Sequence, residues 1–416
     1  FQSISFISLI KMPPVKILYF NFNKSLYLFC RRCFFDAYFN FTKSYKYVKQ
    51  VLEDNPINIK NIDNVIELVE NTINENVYGK YLFVESYGFI QKIMDKNEEN
   101  NFEVVKDKDG FLHYTFIAHQ PNPVYDLSNK TEDFKNNIKN SNTKLIYLMT
   151  PDKYIKGYTE LPTGIPYNYA NETADDYIEL LKEKGIDTID LRENLLSSGI
   201  PPEDLFYKTD HHWKTETVFW EFGQLVNKLN KYYGMNLDKT DYYTNKENYN
   251  FIKYPNSYIG SMGRKTGIIY GGIDDFTLIY PKFKTSYSYY SKTNGQEMKL
   301  EGRFEEALLT VSPFRTEKGI YSLDADKYSS YLFGNRGIVH IVNKDNLNGP
   351  KILFIKDSLA VPLAAFMSTV CSEVYLVDPR YYKESILEYV NSIENLDIAF
   401  ISFSPQDLTD EFFNFN

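Results

Sequence analysis

An α/β fold with a mainly parallel sheet and an inserted β and loop region is predicted by three observations. Short apolar runs alternate with helical patterns from Leu145 to Tyr233. The same alternation returns between Ile338 and Phe403. Between them lies a stretch rich in Tyr, Gly, Lys and Asn that keeps neither rhythm. Alternating strands and helices imply helices on both faces of a parallel sheet, because each crossover helix buries its apolar stripe against that sheet.

Residues 1–45 form an irregular segment crowded with Phe and Tyr, and the first methionine is Met12. Lys11, Lys16, Lys24, Arg31 and Arg32 interrupt its uncharged runs. It offers neither the ~20 apolar residues of a spanning helix nor the layout of a signal peptide. The preferred reading is a reading frame extended upstream or a damaged 5′ end; a degraded membrane anchor is the alternative. Cys30 and Cys33 form a C-x-x-C pair, but no second pair completes a Cys₄ zinc site and no βαβ pattern adjoins it. Cys371 lies in an apolar run and reads as a buried small hydrophobe.

Residues 46–234 read as the first part of the α/β domain. Ile62, Val65, Ile66, Val69 and Ile73 recur at helical spacing within 61–74, and Tyr87 to Lys96 continues as helix. Phe102 to Leu112 reads as a hairpin turning at Asp109-Gly110. Leu145–Met149 is a strand closed by Pro151, and Glu172–Lys184 an amphipathic helix stopped by Gly185. Asp187–Leu191 is a strand, and Thr215–Tyr233 a helix ended by Gly234. Residues 235–334 are read as the insertion, with Gly267–Gly272 and Phe276–Tyr280 as β segments. Residues 335–416 complete the domain. Strands Ile338–Val342, Lys351–Ile355, Glu373–Val377 and Ile398–Phe403 are joined by an apolar helix to about Thr369 and a helix from Tyr381 to Ile393. Ligands in such sheets sit beyond the carboxyl ends of the strands, so the loops after Ile355 and Val377 come first.

Composition excludes several classes. Apolar residues make up 43% and charged residues 24%, which suits a globular core rather than a disordered chain. The net charge of −9, without any basic run interleaved with aromatics, speaks against nucleic acid as a partner.

Tyr207-Lys-Thr-Asp-His-His-Trp213 is the most unusual segment, holding two of the five histidines beside an acid and one of two tryptophans. Such groups are costly to bury without a purpose. Asp210 and His212 can act as an acid–base pair. Asp210 with His211 or His212 can hold a metal, although the further ligands of the usual metal motifs are absent. Thr209 or Asp210 can simply cap the helix that begins at Thr215. Asp357-Ser358 follows a buried strand and precedes an apolar helix; a serine there is either an ordinary cap or a nucleophile with a helix amino terminus behind it. With an Asp-x-His elsewhere, nucleophile, base and orienting acid are all present. Arg380, one of only eight arginines, follows Asp378-Pro379 at the next strand end and can hold a substrate anion or Asp378. Tyr207 can point its hydroxyl into the cleft. His340 reads as a core histidine, while His113 and His119 stand isolated.

With these two motifs in this order, the sequence resembles the AlgX/AlgJ-type SGNH-hydrolase-like family, and more closely its Gram-positive branch of DHHW proteins. The resemblance spans roughly residues 60–416 and includes Lys108–Leu112, Pro151-Asp-Lys153, Gly260-Ser-Met-Gly-Arg264, Asp274-Asp-Phe276 and Asp378-Pro-Arg-Tyr381. It implies an SGNH-hydrolase-like α/β/α sandwich with no cofactor. It also implies O-acetyl transfer to, or ester cleavage on, a bacterial cell-surface or exported polysaccharide. A membrane-bound O-acyltransferase is the implied partner and the cell envelope the implied location. Carried residue by residue, Ser358 is the nucleophile, His212 the base and Asp210 the orienting acid, and Arg380 matches the family's arginine after the next strand. Besides Arg380, the neighbours Tyr207, His211 and Trp213 of the histidine motif are expected around the substrate. His212 precedes Ser358 by 146 residues, the permuted order of this branch. Lys356 stands where a Gly-Asp-Ser block has glycine. A non-catalytic glycan-binding or assembly protein on the same fold is the alternative, which the abundant Tyr of 235–334 would suit through sugar stacking.

Overall fold

The structure, a computed structural model, describes residues 38, 40, 42–55, 65, 66, 68, 69, 72, 80–99, 102–115, 118–314 and 325–415. Residues 1–86 and 87–416 form two units. In the first, residues 42–54 are helical. Cys30 and Cys33 lie outside the described residues, as does most of 1–45. The helix expected across 61–74 is described only at Val65, Ile66, Leu68, Val69 and Thr72, all helical. A helix follows at Lys80–Ile93.

The first sheet of the second unit is three-stranded and antiparallel, β1 (Glu98–Glu99), β2 (Val104–Lys106) and β3 (Leu112–Tyr114). β2 and β3 are the predicted hairpin, paired Val104 to Tyr114 and Lys106 to Leu112, and Gly110 supplies the positive φ (83°) of its turn. Ten further strands follow: β4 (Lys144–Met149), β5 (Asp187–Asp190), β6 (Tyr249–Tyr258), β7 (Asp274–Pro281), β8 (Tyr287–Thr293), β9 (Gln296–Gly302), β10 (Ile338–Asn343), β11 (Lys351–Lys356), β12 (Glu373–Val377) and β13 (Ile398–Ser402). Eight of them form one sheet in the order β5-β4-β13-β11-β12-β10-β8-β9. The five strands from β5 to β12 run parallel, and β10, β8 and β9 continue the sheet antiparallel. This is the predicted α/β class with a mainly parallel sheet. Within 235–334, β8 and β9 lengthen the main sheet, whereas β6 and β7 pair as a separate antiparallel ribbon.

The central strands are buried on both faces, and their side chains alternate between two cores, as a period of two requires. Ile146, Leu148, Ile352, Phe354, Ile398 and Phe400 point into a core shared with the helices Thr215–Tyr233 and Ala360–Met367. Leu145, Tyr147, Leu353, Ile355, Ala399 and Ile401 point into the other, shared with the helices Tyr125–Asn136, Ala170–Glu183 and Ile386–Ser392. Ala360–Met367 is buried on every side, which accounts for its lack of a polar face. Cys371 is fully buried, as read.

Two expectations are corrected. Gly267–Gly272 is not β: Ile268–Gly271 is a single helical turn between Gly267 and Gly272, both with φ near +90° (86° and 89°). Glycines in that conformation break a ladder at both ends, so the apolar pair between them cannot extend. The helix expected from Tyr381 begins only at Ile386, where Ser385 caps it by accepting from the Glu388 amide at 3.1 Å. Tyr381 and Tyr382 are instead held in the preceding loop, their amides donating to the Asp378 carbonyl. The tyrosines of the inserted stretch are in large part core: Tyr249, Tyr258, Tyr270, Tyr287, Tyr289, Tyr328 and Tyr331 are all buried and unavailable for sugar stacking. Among the described residues, no helix is long and apolar enough to cross a membrane.

Phe366 is fully buried amid Phe219, Phe222, Tyr249, Phe304 and Tyr331, with ring centroids 5.4–6.3 Å away. Phe366→Ala is expected to cost about 3–5 kcal/mol in urea unfolding, from lost transfer energy and the residual cavity. Leu347→Ser, at a side chain 70% exposed, is expected to change stability by less than about 0.5 kcal/mol.

Candidate active site

Ser358 stands at the carboxyl end of β11, in the middle of the parallel sheet. The turn that carries it is held by the residue before it. Asp357 accepts from the Leu359 amide at 2.8 Å through Oδ1 and from the Ser404 amide at 2.7 Å, beyond β13, through Oδ2. Neither Asp357 nor Ser358 caps the helix: its N-cap is Leu359, with no side-chain cap bond. The Ser358 hydroxyl is thereby left free to face another element.

That element is the loop 207–213. A β-bridge between Phe206 and Trp213 closes it, and the Tyr207 amide donates to the His212 carbonyl at 3.2 Å. Within this tight loop Asp210 Oδ1 accepts from the His212 amide at 3.0 Å and from His212 Nδ1 in a short hydrogen bond. Asp210 Oδ2 accepts from the Ser261 amide at 2.5 Å. Because the carboxylate only accepts, Nδ1 carries the proton and Nε2 is left as acceptor. His212 Nε2 lies 2.8 Å from Ser358 Oγ. The sequence-predicted Asp210, His212 and Ser358 are thus brought together in one chain of hydrogen bonds. The capping role for Thr209 or Asp210 does not hold: the helix N-cap is Lys214, and both side chains are engaged elsewhere.

The loop's own geometry is imposed from outside. Asp274, the first residue of β7, accepts from the Lys208 amide (2.6 Å), the Thr209 amide (2.8 Å) and the Thr209 hydroxyl (2.5 Å). Lys153, just after β4, donates to the Lys208 and Asp210 carbonyls at 3.0 and 2.8 Å. Gly260 approaches so closely that a Cβ would lie 2.1 Å from the Asp210 Cβ. Its φ is ordinary (−72°), so the requirement there is space rather than a left-handed backbone. The short motifs Pro151-Asp-Lys153, Gly260–Arg264 and Asp274–Phe276 therefore all touch the 208–210 turn.

Burial alone would raise the Asp210 carboxyl; the adjacent His212 and His211 and the Ser261 amide outweigh it and hold it well below the usual carboxylate range. Asp210 is accordingly ionised at neutral pH, as an orienting acid must be. Burial, then the neighbouring His212, pushes His211 below the ordinary histidine value.

The residues expected around the substrate divide. His211 is partly exposed, its ring tilted by 36° against that of His212 with centroids 3.9 Å apart, and its Nδ1 lies 3.3 Å from Ser261 Oγ. Arg380 is also partly exposed. Its Nε and Nη2 donate to the two oxygens of Asp378 at 2.9 and 2.8 Å, and its guanidinium lies over the Phe412 ring. Tyr207 and Trp213 do not line a cleft, because the 206–213 bridge tucks both rings inward and both are fully buried. Tyr207 packs against Tyr258 and Phe276. Trp213 has a different use: Nε1 donates to the Leu359 carbonyl at 3.1 Å and to the Tyr328 hydroxyl at 3.0 Å, tying the histidine loop to the serine turn. Lys356 is fully buried, donating to Asp378 (2.8 Å) and Asn335 (2.7 Å), so Asp378 lies between two cations. Burial opposes its charge, but Lys356 and Arg380 prevail and its carboxyl lies below the usual range. His340 is half-buried and pairs with Glu373 at 2.7 Å.

Tyr328 is a site residue that sequence reasoning missed. Its ring stacks on His212 (3.8 Å between centroids, 17° between planes), and its hydroxyl donates to the Leu359 carbonyl at 3.2 Å. In a chain with 36 tyrosines no local signal distinguishes it. Asp210, His211 and His212 form the one group among the described residues whose ligand atoms lie close enough together to hold a metal. Both Asp210 oxygens and both His212 nitrogens are already committed to hydrogen bonds, and no further carboxylate joins the group. The arrangement is suited to proton relay rather than metal coordination.

Comparison with known proteins agrees with the motifs. Residues 104–220 match the model of the ALGX family, described as SGNH hydrolase-like domain, acetyltransferase AlgX. This bears out the AlgX/AlgJ-type, SGNH-hydrolase-like resemblance. Bacillus cereus PatB1 is similar in structure at a TM-score of 0.56 and 18% identity, over 75% of this chain and 99% of that one. The same protein with a sulfonyl adduct gives 0.58 and 17%, over 75% and 97%. A DHHW family protein from Eubacterium siraeum gives 0.53 and 17%, over 74% and 93%. At these identities the likeness establishes a shared fold. No curated protein matches the sequence.

One further pair adjoins the serine turn. The buried Asp407 carboxyl interacts with that of Asp357, and its Oδ2 accepts from the Ser404 hydroxyl at 3.2 Å. Burial, reinforced by the Asp357 charge, raises Asp407 well above the usual carboxylate range, so it keeps its proton. A carboxyl raised in the folded state contributes stability that is complete below its unfolded value and is lost as pH rises through the folded one. Asp407→Asn is therefore expected to raise the unfolding temperature at pH 8 by about 2–4 °C, with the gain vanishing near pH 4. Thermal melts across that range check it.

Proposed function

We propose that the chain is a serine-dependent O-acetyltransferase or acetylesterase acting on a bacterial cell-surface or exported polysaccharide. The observation that carries the reading is the 2.8 Å contact of His212 Nε2 with Ser358 Oγ, with Asp210 behind Nδ1. The match of residues 104–220 to an acetyltransferase family supports the choice of acyl group.

Ser358 Oγ attacks the acetyl carbonyl as its proton passes to His212 Nε2. Asp210 stabilises the imidazolium that forms and keeps the ring in place. The tetrahedral oxyanion develops beside the amino end of the helix Ala360–Met367, whose partial positive charge favours it. Collapse expels the donor alcohol, which takes the proton from Nε2 and leaves acetyl-Ser358. A sugar hydroxyl then attacks, giving its proton to Nε2; collapse returns that proton to Ser358 and releases the acetylated glycan. Water in place of the sugar makes the reaction hydrolysis. His211 and Arg380, both partly exposed, contact the substrate. A membrane-bound O-acyltransferase supplies the acetyl groups, and the protein works outside the cytoplasm at the cell envelope. A non-catalytic protein on the same fold has no need of the contact between His212 and Ser358, and the presence of that contact favours the catalytic reading.

Incubation with p-nitrophenyl acetate, with and without an oligosaccharide acceptor, tests the reading. Wild type is expected to release acetyl groups, and Ser358→Ala and His212→Ala to lower kcat by at least about 10³-fold. Asp210→Asn is expected to lower it by about 10²–10⁴-fold, because the wrong imidazole tautomer is then favoured. No release from wild type, or equal release from Ser358→Ala, removes the enzymatic proposal.

A further inference from the structure

We infer that Lys153 is a positioning residue of the serine relay, its buried ammonium fixing the Asp210 backbone and through it the angle at which His212 meets Ser358. The inference rests on the serine-relay reading above.

Lys153 is only 5% exposed, yet its hydrogen bonds among the described residues end on backbone carbonyls and not on the reacting atoms. A buried ammonium is costly unless its donors are satisfied. Two of its donors end on carbonyls of one short segment, Lys208 at 3.0 Å and Asp210 at 2.8 Å. Its Nζ also lies over the Phe111 ring, 5.5 Å from the centroid. On the amide side of the same segment, Asp274 accepts from Lys208 and Thr209. A cation therefore pulls on the Lys208 and Asp210 carbonyls and an anion on the Lys208 and Thr209 amides, across three consecutive residues of which the last is the orienting acid.

This clamp fixes what the Asp210 side chain cannot fix alone. Both carboxylate oxygens are spent on neighbours, Oδ1 on His212 and Oδ2 on Ser261. The Lys208 and Asp210 carbonyls belong to the 208–209 and 210–211 peptides, and any rotation of either swings that carboxylate and carries the imidazole with it. Burial lowers the Lys153 ammonium to about 8 against the charges of Asp274, Asp210, Asp107 and Asp152, so the cation persists at neutral pH. Proton relay depends on alignment, and a misplacement of about 1 Å can lower a rate by about 10²-fold.

Lys153→Met keeps the length of the side chain and removes its donors. The rate of Ser358 modification by phenylmethanesulfonyl fluoride and the kinetics of p-nitrophenyl acetate cleavage are measured per folded molecule, alongside the unfolding temperature. Labelling and kcat are expected to fall together by about 10–100-fold while KM changes less than about two-fold. Lys153→Gln, whose amide can still donate to a carbonyl, is expected to recover part of the loss. A folded Lys153→Met labelled at the wild-type rate overturns the inference. So does a loss that disappears once the folded fraction is counted. If Lys153→Met does not fold, Lys153→Gln is read by the same criteria, and failure of both to fold assigns Lys153 to the fold and overturns the inference as well. Absence of labelling in wild type, by contrast, removes the serine-relay reading itself.

Discussion

The hydrogen bond between His212 Nε2 and Ser358 Oγ is the contact on which the functional account depends, and it joins residues 146 positions apart. A bond of this kind contributes only about 0.5–1.5 kcal/mol net. It cannot draw two loops together, so both must be placed by other forces before it forms. The serine turn is placed by the sheet: β11 lies between β13 and β12, and Asp357 bonds across to Ser404. The histidine loop is placed by groups from β7, from the segment after β4 and from the Gly260 turn. The Leu359 carbonyl joins the two, because it receives both the Trp213 indole and the Tyr328 hydroxyl.

Buried charge recurs throughout this neighbourhood. Asp210, Asp274, Asp357, Asp378, Lys153 and Lys356 are all nearly inaccessible to water. Such groups are weak sources of stability, since desolvation offsets most of the attraction between them. Their effect is geometric: each is engaged by two or more hydrogen bonds, so each admits few arrangements of its neighbours. Lys356 is an instance. A glycine at that position would leave Asp378 with Arg380 alone, whereas the lysine secures the loop that carries Arg380 to the floor of the serine turn.

The fold class was legible in the sequence because the central strands, buried on both faces, are short apolar runs that little else can explain. Thr215–Tyr233 and Glu373–Val377 appear with their predicted bounds. Gly267–Gly272 was misread because apolar residues between glycines look alike in a strand and in a single helical turn, and only the sign of φ separates them. Asp210, His212 and Ser358 could be singled out because rare residue types cluster at strand and helix boundaries. Tyr207 and Trp213 were drawn to the substrate by adjacency in sequence, which the inward tuck of the 206–213 bridge defeats. Tyr328, Lys153 and Asp274 hold the histidine loop through tertiary contacts spanning about 55 to 116 positions, and no local pattern announces a residue whose partner is a distant backbone carbonyl, amide or ring face.

Rapid-quench mass spectrometry during turnover of an acetyl ester tests the central claim most directly. The account predicts a transient acetyl group on the peptide that contains Ser358, formed and discharged at the rate of turnover. Turnover with no acetyl group on that peptide, or with the acetyl group on another residue, would contradict it.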